Sequence, residues 1–194
     1  IEPRADGPPD SVLVGGGDAM LIGADDCEKA CLSDLADMTV ANGVRRVRHV
    51  FGDDTAFPDE RWGPGWTQDD LILRAGAPAS ALVVNSNEIS VTVSSGGEAG
   101  APAKVEWRPD DEVYELQNEV VTVAGDIGPA DDLRFERLPG SSIVRAYGAF
   151  AVGGKPDTSN LAVEDPALSA AWRFMRLLQE RGVVVEGQHL ARHR

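Results

Sequence analysis

The sequence is poor in basic and aromatic residues and has no long apolar run. It carries 18 Lys and Arg against 32 Asp and Glu, a formal net charge of −14. Because a protein that grips a phosphate backbone needs a basic surface, we expect no nucleic-acid partner. No apolar run approaches the roughly 20 residues of a membrane-spanning helix, so we expect no transmembrane segment. The first ten residues are polar and contain three prolines, unlike a secretory signal peptide.

Cysteine is also scarce, and the two that occur are close together. Cys27 and Cys31 are four residues apart, about one helical turn. Three interpretations stay open: two packed thiols, a disulfide, or half of a metal site. A regular helix does not easily supply disulfide geometry. A metal site would need further ligands, and none follows at ligand spacing before His49.

The first part of the chain has the pattern of an α/β unit. A short apolar strand at 12–14 ends in Gly-Gly-Gly. Apolar residues then recur every three to four positions between Asp25 and Asn42, which predicts a helix capped by Asp25 or Asp26 and stopped by Asn42-Gly43. Val44, Val47 and Val50 then lead through a basic patch, Arg45 to Arg48, into a second predicted strand that ends at Gly52. This part therefore reads as strand, helix, strand.

The middle of the chain has the pattern of an all-β unit. Short runs rich in Val, Ile, Thr and aromatic residues are separated by Gly, Pro, Asp and Ser clusters. They predict strands at 81–84, 89–93, 104–107, 120–123, 133–136 and 143–147.

Helical periodicity returns near the end. Asp165 and Pro166 predict a helix start and Gly182 a helix stop, and residues 183–185 predict a last strand. We therefore predict an α+β chain: a two-segment α/β domain (1–78 and 164–194) with an inserted β-rich domain (79–163).

Several segments, in order, resemble one enzyme family. Gly-Gly-Gly-Asp at 15–18, Asn-Gly-Val at 42–44, Gly-Asp-Asp-Thr-Ala-Phe at 52–57, Pro-Gly-Trp-x-x-Asp-Asp at 64–70, Gly-Ala-Pro at 76–78 and Asp-Pro-Ala at 165–167 are similar to segments of class C low-molecular-mass penicillin-binding proteins. Those proteins are D-Ala-D-Ala carboxypeptidases and endopeptidases. Each match is weak alone, but together they are collinear and span almost the whole chain.

The three catalytic motifs of that family are missing from this chain. None of its lysines, Lys29, Lys104 and Lys155, lies three residues after a serine or begins a Lys-Thr-Gly or Lys-Ser-Gly, and no Ser-x-Asn occurs. The resemblance thus implies the accessory insertion of such an enzyme, acting in the periplasm or elsewhere outside the cytoplasmic membrane. It implies two partners, the catalytic transpeptidase-like domain of the same polypeptide and a peptidoglycan stem peptide, and no cofactor or metal. The alternative is a stand-alone cell-wall or protein binding module with the same fold and no enzymatic activity.

The resemblance also singles out three candidate substrate-binding residues. In the family, the Trp and Asp of Pro-Gly-Trp-x-x-Asp help to hold the stem-peptide side chain, which implies this role for Trp66 and Asp69. Arg74 stands where the family has a tyrosine, and a cation there would disfavour an amine on the substrate. The structural alternative makes Trp66 a loop anchor and Asp69 a turn cap.

Other polar clusters favour structural interpretations. The glycines at 15–17 lack the context of a phosphate loop and favour a turn that needs positive φ. The acidic residues at 53–60 lack calcium-loop spacing and favour a solvated loop. His189 and His193 lie in a polar tail that we expect to be exposed.

Overall fold

The computed structural model describes residues 1–24, 26–108, 113–125 and 132–194. They form two compact units, one from Ile1–Gly65, Pro78–Asn87 and Asp165–Arg194, the other from Trp66–Ala77 and Glu88–Glu164. In chain order the elements are β1 (Ser11–Val14), α1 (Leu32–Ala41), β2 (Arg46–Val47), β3 (Val50–Asp53), β4 (Glu88–Ser94), β5 (Lys104–Arg108), β6 (Glu115–Val123), β7 (Arg134–Glu136), β8 (Ile143–Ala151), β9 (Asp157–Ala162), α2 (Pro166–Glu180), β10 (Val184–Val185) and β11 (His189–Arg192). The predicted α+β class is confirmed. Within the described residues no helix has the length and apolar character needed to cross a membrane.

The first unit is a parallel sheet covered by helices. β3 lies in the centre of the sheet, with β1 and β11 parallel on either side, and β2 and β10 form a second parallel pair. Apolar residues of α1 and α2 pack with the strands into one core that includes Leu32, Val50, Phe174 and Leu178. Because the three strands are parallel, the carboxyl ends of β1, β3 and β11 lie at the same end of the sheet.

The helix α2 begins where its sequence predicts. Asp165 is extended, and its Oδ1 accepts a hydrogen bond of 2.9 Å from the backbone N–H of Leu168, while Pro166 occupies the first turn. α2 also packs very closely on β3, because a Cβ on Gly52 would lie 1.9 Å from the carbonyl oxygen of Ala167. Only glycine fits at that point.

The helix α1 starts later than predicted. Its first residue is Leu32 and its N-cap is Cys31, whose side chain makes no capping bond. Cys27 and Cys31 form a disulfide with their Cα atoms 5.7 Å apart, which settles the three open interpretations of this pair. The disulfide closes a non-helical loop before the helix, so the predicted cap at Asp26 is wrong. Asp25 lies outside the described residues.

The second unit contains two sheets around one core. β5-β4-β9 is antiparallel, while in β6-β8-β7 the β6–β8 pair is parallel and the β7–β8 pair antiparallel. Both sheets contribute to the same core, for example Val91 and Leu161 from one and Val120 and Phe150 from the other. β9 and β7 are edge strands of their sheets.

In this region one predicted strand is absent, and one observed strand was not predicted. Residues 81–84 form no strand. Ala81 and Leu82 are apolar because they lie in a buried loop of the first unit. β9 was not predicted, because its first four residues, Asp-Thr-Ser-Asn, are polar. Its pairing with β4 over six residues stabilises it instead.

The limits of the two units differ from the predicted domain limits at residues 66–77, at residues 79–87 and at Glu164. Residues 66–77 belong to the second unit, where Leu73 forms a β-bridge with Leu161 and Ile72 joins the core. Residues 78–87 belong to the first unit, where Leu82 is part of the core. The assignment of an accessory domain and an inserted domain stays a prediction.

Candidate functional site

The segment that carries the three candidate residues is shaped by two short 3-10 turns, Gln68–Asp70 and Arg74–Gly76. Thr67 caps the first turn together with Asp70: the Thr67 N–H and hydroxyl donate to Asp70 Oδ2 at 2.9 and 2.8 Å. These two bonds favour the carboxylate and lower the pKa of Asp70. Asp70, not Asp69, is therefore the residue that caps this turn.

Asp69 and Arg74 line the same groove, and Trp66 does not line it. Asp69 is exposed, and its carboxylate has no hydrogen-bond or ion-pair partner among the described residues. The Nε of Arg74 lies 3.0 Å from Glu88 Oε1, although the Arg74 side chain stays 71% exposed. Trp66 is 44% exposed. The charge of Arg74 is thus partly compensated by Glu88, which weakens the repulsion of an amine that its sequence position suggests.

The groove lies within the second unit and has a volume of about 1110 Å³. It combines apolar side chains with polar ones from the 68–75 segment, the β7 region, β8 and β9. Its walls include Gln68, Asp69, Ile72, Leu73, Arg74, Leu133, Arg134, Phe135, Glu136, Arg137, Leu138, Tyr147, Asp157, Ser159, Asn160 and Leu161. A groove of this size and mixed character can hold an extended ligand with both apolar and charged groups.

The charges in the groove are unequally compensated. Arg74 pairs with Glu88, Arg137 with Glu164, and Glu136 with Arg145. The carboxylate of Asp157, like that of Asp69, has no side-chain partner within the described part of the chain. The groove therefore offers two carboxylates, at Asp69 and Asp157, to a cationic group.

Sequence reasoning missed a polar network in the first unit, at the end of the parallel sheet where β3 and β11 finish. The Ser80 hydroxyl donates to Asp54 Oδ2 at 2.9 Å, and His193 Nδ1 lies 2.9 Å from Asp54 Oδ1. His193 Nε2 lies 3.0 Å from Asp165 Oδ2, and Arg61 Nη2 lies 3.2 Å from the same oxygen. The expectation of an exposed tail is wrong for both His189 and His193, because the tail forms β11 and pairs with β3.

The geometry of His193 shows which charge state it favours. A neutral imidazole has one N–H, so a ring with a carboxylate oxygen at each nitrogen satisfies both only as an imidazolium. Partial burial opposes that charge, but the bond to Asp54 and the charges of Asp165 and Asp54 outweigh it and raise the pKa of His193.

The network has no geometry for nucleophilic catalysis. The Ser80 hydroxyl is buried and donates to Asp54 rather than to His193, so it lacks the adjacent base that would activate it. Asp165 also caps α2 through its other oxygen. The network is a structural clamp that joins the ends of β3 and β11 to the start of α2.

The glycine turn and the acidic loop behave as local structure. Gly17 has φ of +84°, which confirms the predicted positive-φ turn after β1. Asp53 accepts hydrogen bonds from Thr55, and Asp59 pairs with Arg61. Within the described ranges, no group of three or more acidic, His or Cys side chains is arranged to hold a metal ion.

Comparison with known proteins identifies the family. Residues 4–193 match the model of the D-Ala-D-Ala carboxypeptidase 3 (S13) family. The chain is 33% identical over 187 residues to the D-alanyl-D-alanine carboxypeptidase of Actinomadura sp. (strain R39). This alignment covers 92% of the chain and 33% of that relative.

Solved structures show the same fold. Penicillin binding protein 4 from Haemophilus influenzae matches with a TM-score of 0.73 at 17% identity, over 95% of this chain and 39% of that one. The same protein in complex with a novel β-lactam matches with a TM-score of 0.64 at 16% identity, over 100% and 40% of the two chains. The chain thus spans about a third of its curated relative, and its segment order and its fold both agree with the resemblance found in the sequence. The chain belongs to the D-Ala-D-Ala carboxypeptidase 3 (S13) family.

Proposed function

We propose that this chain is a non-catalytic accessory region of a serine-type D-Ala-D-Ala carboxypeptidase or endopeptidase. The whole protein would act on peptidoglycan stem peptides outside the cytoplasmic membrane. One observation carries the proposal: the family match runs from residue 4 to 193, yet the three catalytic motifs are absent and only a third of the curated relative is covered.

The arrangement of the two chain ends supports an insertion into a catalytic domain. Glu2 accepts two hydrogen bonds from Arg192, at 2.7 and 2.8 Å, so residues near the two ends lie side by side in the first unit. A segment whose ends meet can be inserted into a loop of a host domain without disturbing it. In this proposal the α/β domain (1–78 and 164–194) is the accessory domain and the β-rich part (79–163) is its insertion.

A labelled β-lactam tests the absence of catalysis. Acylation needs a serine activated by a neighbouring base, and this chain has no Ser-x-x-Lys. We expect no covalent adduct on the chain alone and one adduct on the natural polypeptide that contains it, as seen after denaturation. Labelling of one serine of the chain alone would contradict the proposal. A gene without the three motifs on either side would favour the stand-alone binding module.

Trp66, Asp69 and Arg74 are proposed to contact the stem-peptide side chain. An ammonium would pair with Asp69, the indole of Trp66 would cover the aliphatic part, and Arg74 would moderate the preference for an amine. The support is the shared groove of Asp69 and Arg74 and the uncompensated carboxylate of Asp69.

Substrate preference in the natural polypeptide tests these roles. Because the ion pair would be partly exposed, we expect Asp69→Ala to cost about 0.2–1 kcal/mol in kcat/KM for amine-bearing stem peptides relative to amine-blocked ones. Arg74→Tyr should shift the same ratio towards the amine. β-Lactam acylation should change much less, since neither residue takes part in bond making. If neither variant moves the ratio, the segment has only a structural role.

A further inference from the structure

The edge strand β9 presents unpaired backbone groups. Ala162 donates its N–H to the carbonyl of Ile72 at 2.9 Å, so this residue points away from β4. In an antiparallel pair every second residue points the same way, and Thr158 and Asn160 therefore also direct their N–H and C=O groups away from β4. No strand among the described residues pairs with them.

The same edge already accepts an extended segment at its other end. Leu73 forms an antiparallel bridge with Leu161, next to the bond between Ile72 and Ala162. Residues 72 and 73 thus cover the carboxyl end of the β9 edge. The outward-pointing backbone groups of Thr158 and Asn160, which lie earlier in the same strand, stay open. Asn160 lines the groove, so the open part of the edge borders the groove described above.

The side chains at this wall suit a ligand that carries a positive charge. Asp157 and Ser159 alternate with the open backbone positions and line the groove. Asp157 is half-buried, and its carboxylate has no side-chain partner in the described part of the chain. Its backbone neighbour in β4 is Val93, a core residue, so this carboxylate sits on the inner face of the sheet. An ammonium group would compensate it better here than at an exposed site.

Apolar surface completes the groove. Leu73 is 48% exposed and Leu138 70% exposed, although both line it. Phe135 and Tyr147 also line the groove. Exposed apolar side chains beside an open strand edge are typical of surfaces that bind extended peptides by strand addition.

We propose that the groove binds an extended peptide with a free amine, which pairs with β9 at Thr158 and Asn160 and places its ammonium against Asp157. This amine position is separate from the one at Asp69, although both line the groove: the proposed function places the amine at Asp69 in the natural polypeptide, whereas Asp157 would hold it when the peptide lies along β9. The inference rests on the proposed function only for the choice of ligand: a peptidoglycan stem peptide with a diamino residue has this chemistry. The mode of binding follows from the strand edge and its charge.

Amide NMR spectra of the 194-residue chain test the proposal with three ligands. These are a lysine-containing stem pentapeptide, the same peptide acetylated on its side-chain amine, and a peptide-free oligosaccharide of the cell-wall glycan. We expect the free-amine peptide to shift the amides of residues 157–160. Acetylation should weaken its binding about two- to fivefold, as expected for loss of a partly exposed ion pair. The oligosaccharide should leave these amides unchanged.

Matched variants separate the backbone from the side chains. Thr158→Pro removes an outward N–H that β4 does not use, and should weaken binding about two- to tenfold. Thr158→Ala keeps that N–H and should bind within about twofold of the unmodified chain. A peptide with N-methylated backbone amides removes the bonds from the ligand side, so the test does not depend on how the proline variant folds.

Two charge variants locate the amine site. Asp157→Asn should abolish the difference between the free and acetylated peptides, whereas Glu106→Gln, in β5 and outside the groove, should preserve it. The inference is overturned if the amides do not shift at millimolar peptide, if the oligosaccharide alone shifts them, or if N-methylation has no effect. It is also overturned if Asp69→Asn, and not Asp157→Asn, removes the discrimination. Each of these results leaves the β-lactam test of the proposed function unaffected.

Discussion

The charge of His193 is predicted to make the stability of the first unit depend on pH. The pKa of His193 is raised in the folded chain, so the protonated ring stabilises the fold fully below about pH 6.5, the unfolded value. This stabilisation is lost as the pH rises through the folded pKa. The contribution of His189 to the free energy of unfolding changes with pH in the opposite direction. Burial lowers the pKa of His189, so the folded state loses stability as the pH falls and the ring is protonated.

The magnitude follows from the hydrogen bonds of the ring. Protonated His193 bonds to Asp54 at 2.9 Å and to Asp165 at 3.0 Å, with its side chain 25% exposed. Charge-assisted bonds contribute about 1.5–3 kcal/mol when buried, and partial exposure reduces each to about 1 kcal/mol. The neutral ring can keep the bond to Asp54 and accept one from Arg61 at 3.2 Å. His193→Ala should therefore cost about 2 kcal/mol at low pH and about 1 kcal/mol at high pH.

Urea unfolding of the chain and of His193→Ala, at about pH 5.5 and about pH 9, measures this difference. The backbone NMR signals of α2 report the first unit alone, which matters because two units need not unfold together. Groups common to both proteins cancel in the comparison, and His189→Gln serves as the control with opposite sign. A cost that stays constant or grows with pH would refute the assignment of an imidazolium bridging two carboxylates.

Three further stability predictions follow from close packing and cross-links. Gly52→Ala should destabilise the first unit by about 1–3 kcal/mol or more in urea unfolding, since its Cβ would lie 1.9 Å from the α2 backbone, whereas Gly16→Ala has open space and should be nearly neutral. Replacing Cys27 and Cys31 by serine should lower the free energy of unfolding by at most about 2 kcal/mol, because closing a short loop removes little entropy from the unfolded chain. A larger fall in the urea midpoint of unfolding would show that the disulfide stabilises residues outside its own loop. Arg137→Ala should cost about 3–5 kcal/mol in the second unit, because its side chain is 3% exposed and pairs with Glu164; an unchanged melting temperature would contradict this.

The sequence alone predicted the elements whose signals are local. Asp165, Pro166 and Gly182 mark the start and end of α2, because caps and stops depend on neighbouring residues. Alternation of Ile89, Val91 and Val93 predicted β4, since one face of that strand meets the core. The collinear motifs also predicted the family, which the comparisons confirm.

Only the tertiary structure decided the polar strands and the sites they form. β9 and β11 are stabilised largely by backbone pairing with β4 and β3, so they can carry polar or charged residues. Their sequences therefore lack the periodic apolar pattern from which a strand is predicted.

The clamp and the groove were equally out of reach of the sequence. His193 contacts Asp54, Asp165 and Arg61, and Asp54 in turn accepts from Ser80. These residues come from separate segments, and no spacing along the chain predicts that they meet. The groove joins Asp69 to Asp157 in the same way. The sequence gives the chemical type of every side chain. Which side chains face one another depends on how the sheets and loops pack in the folded chain.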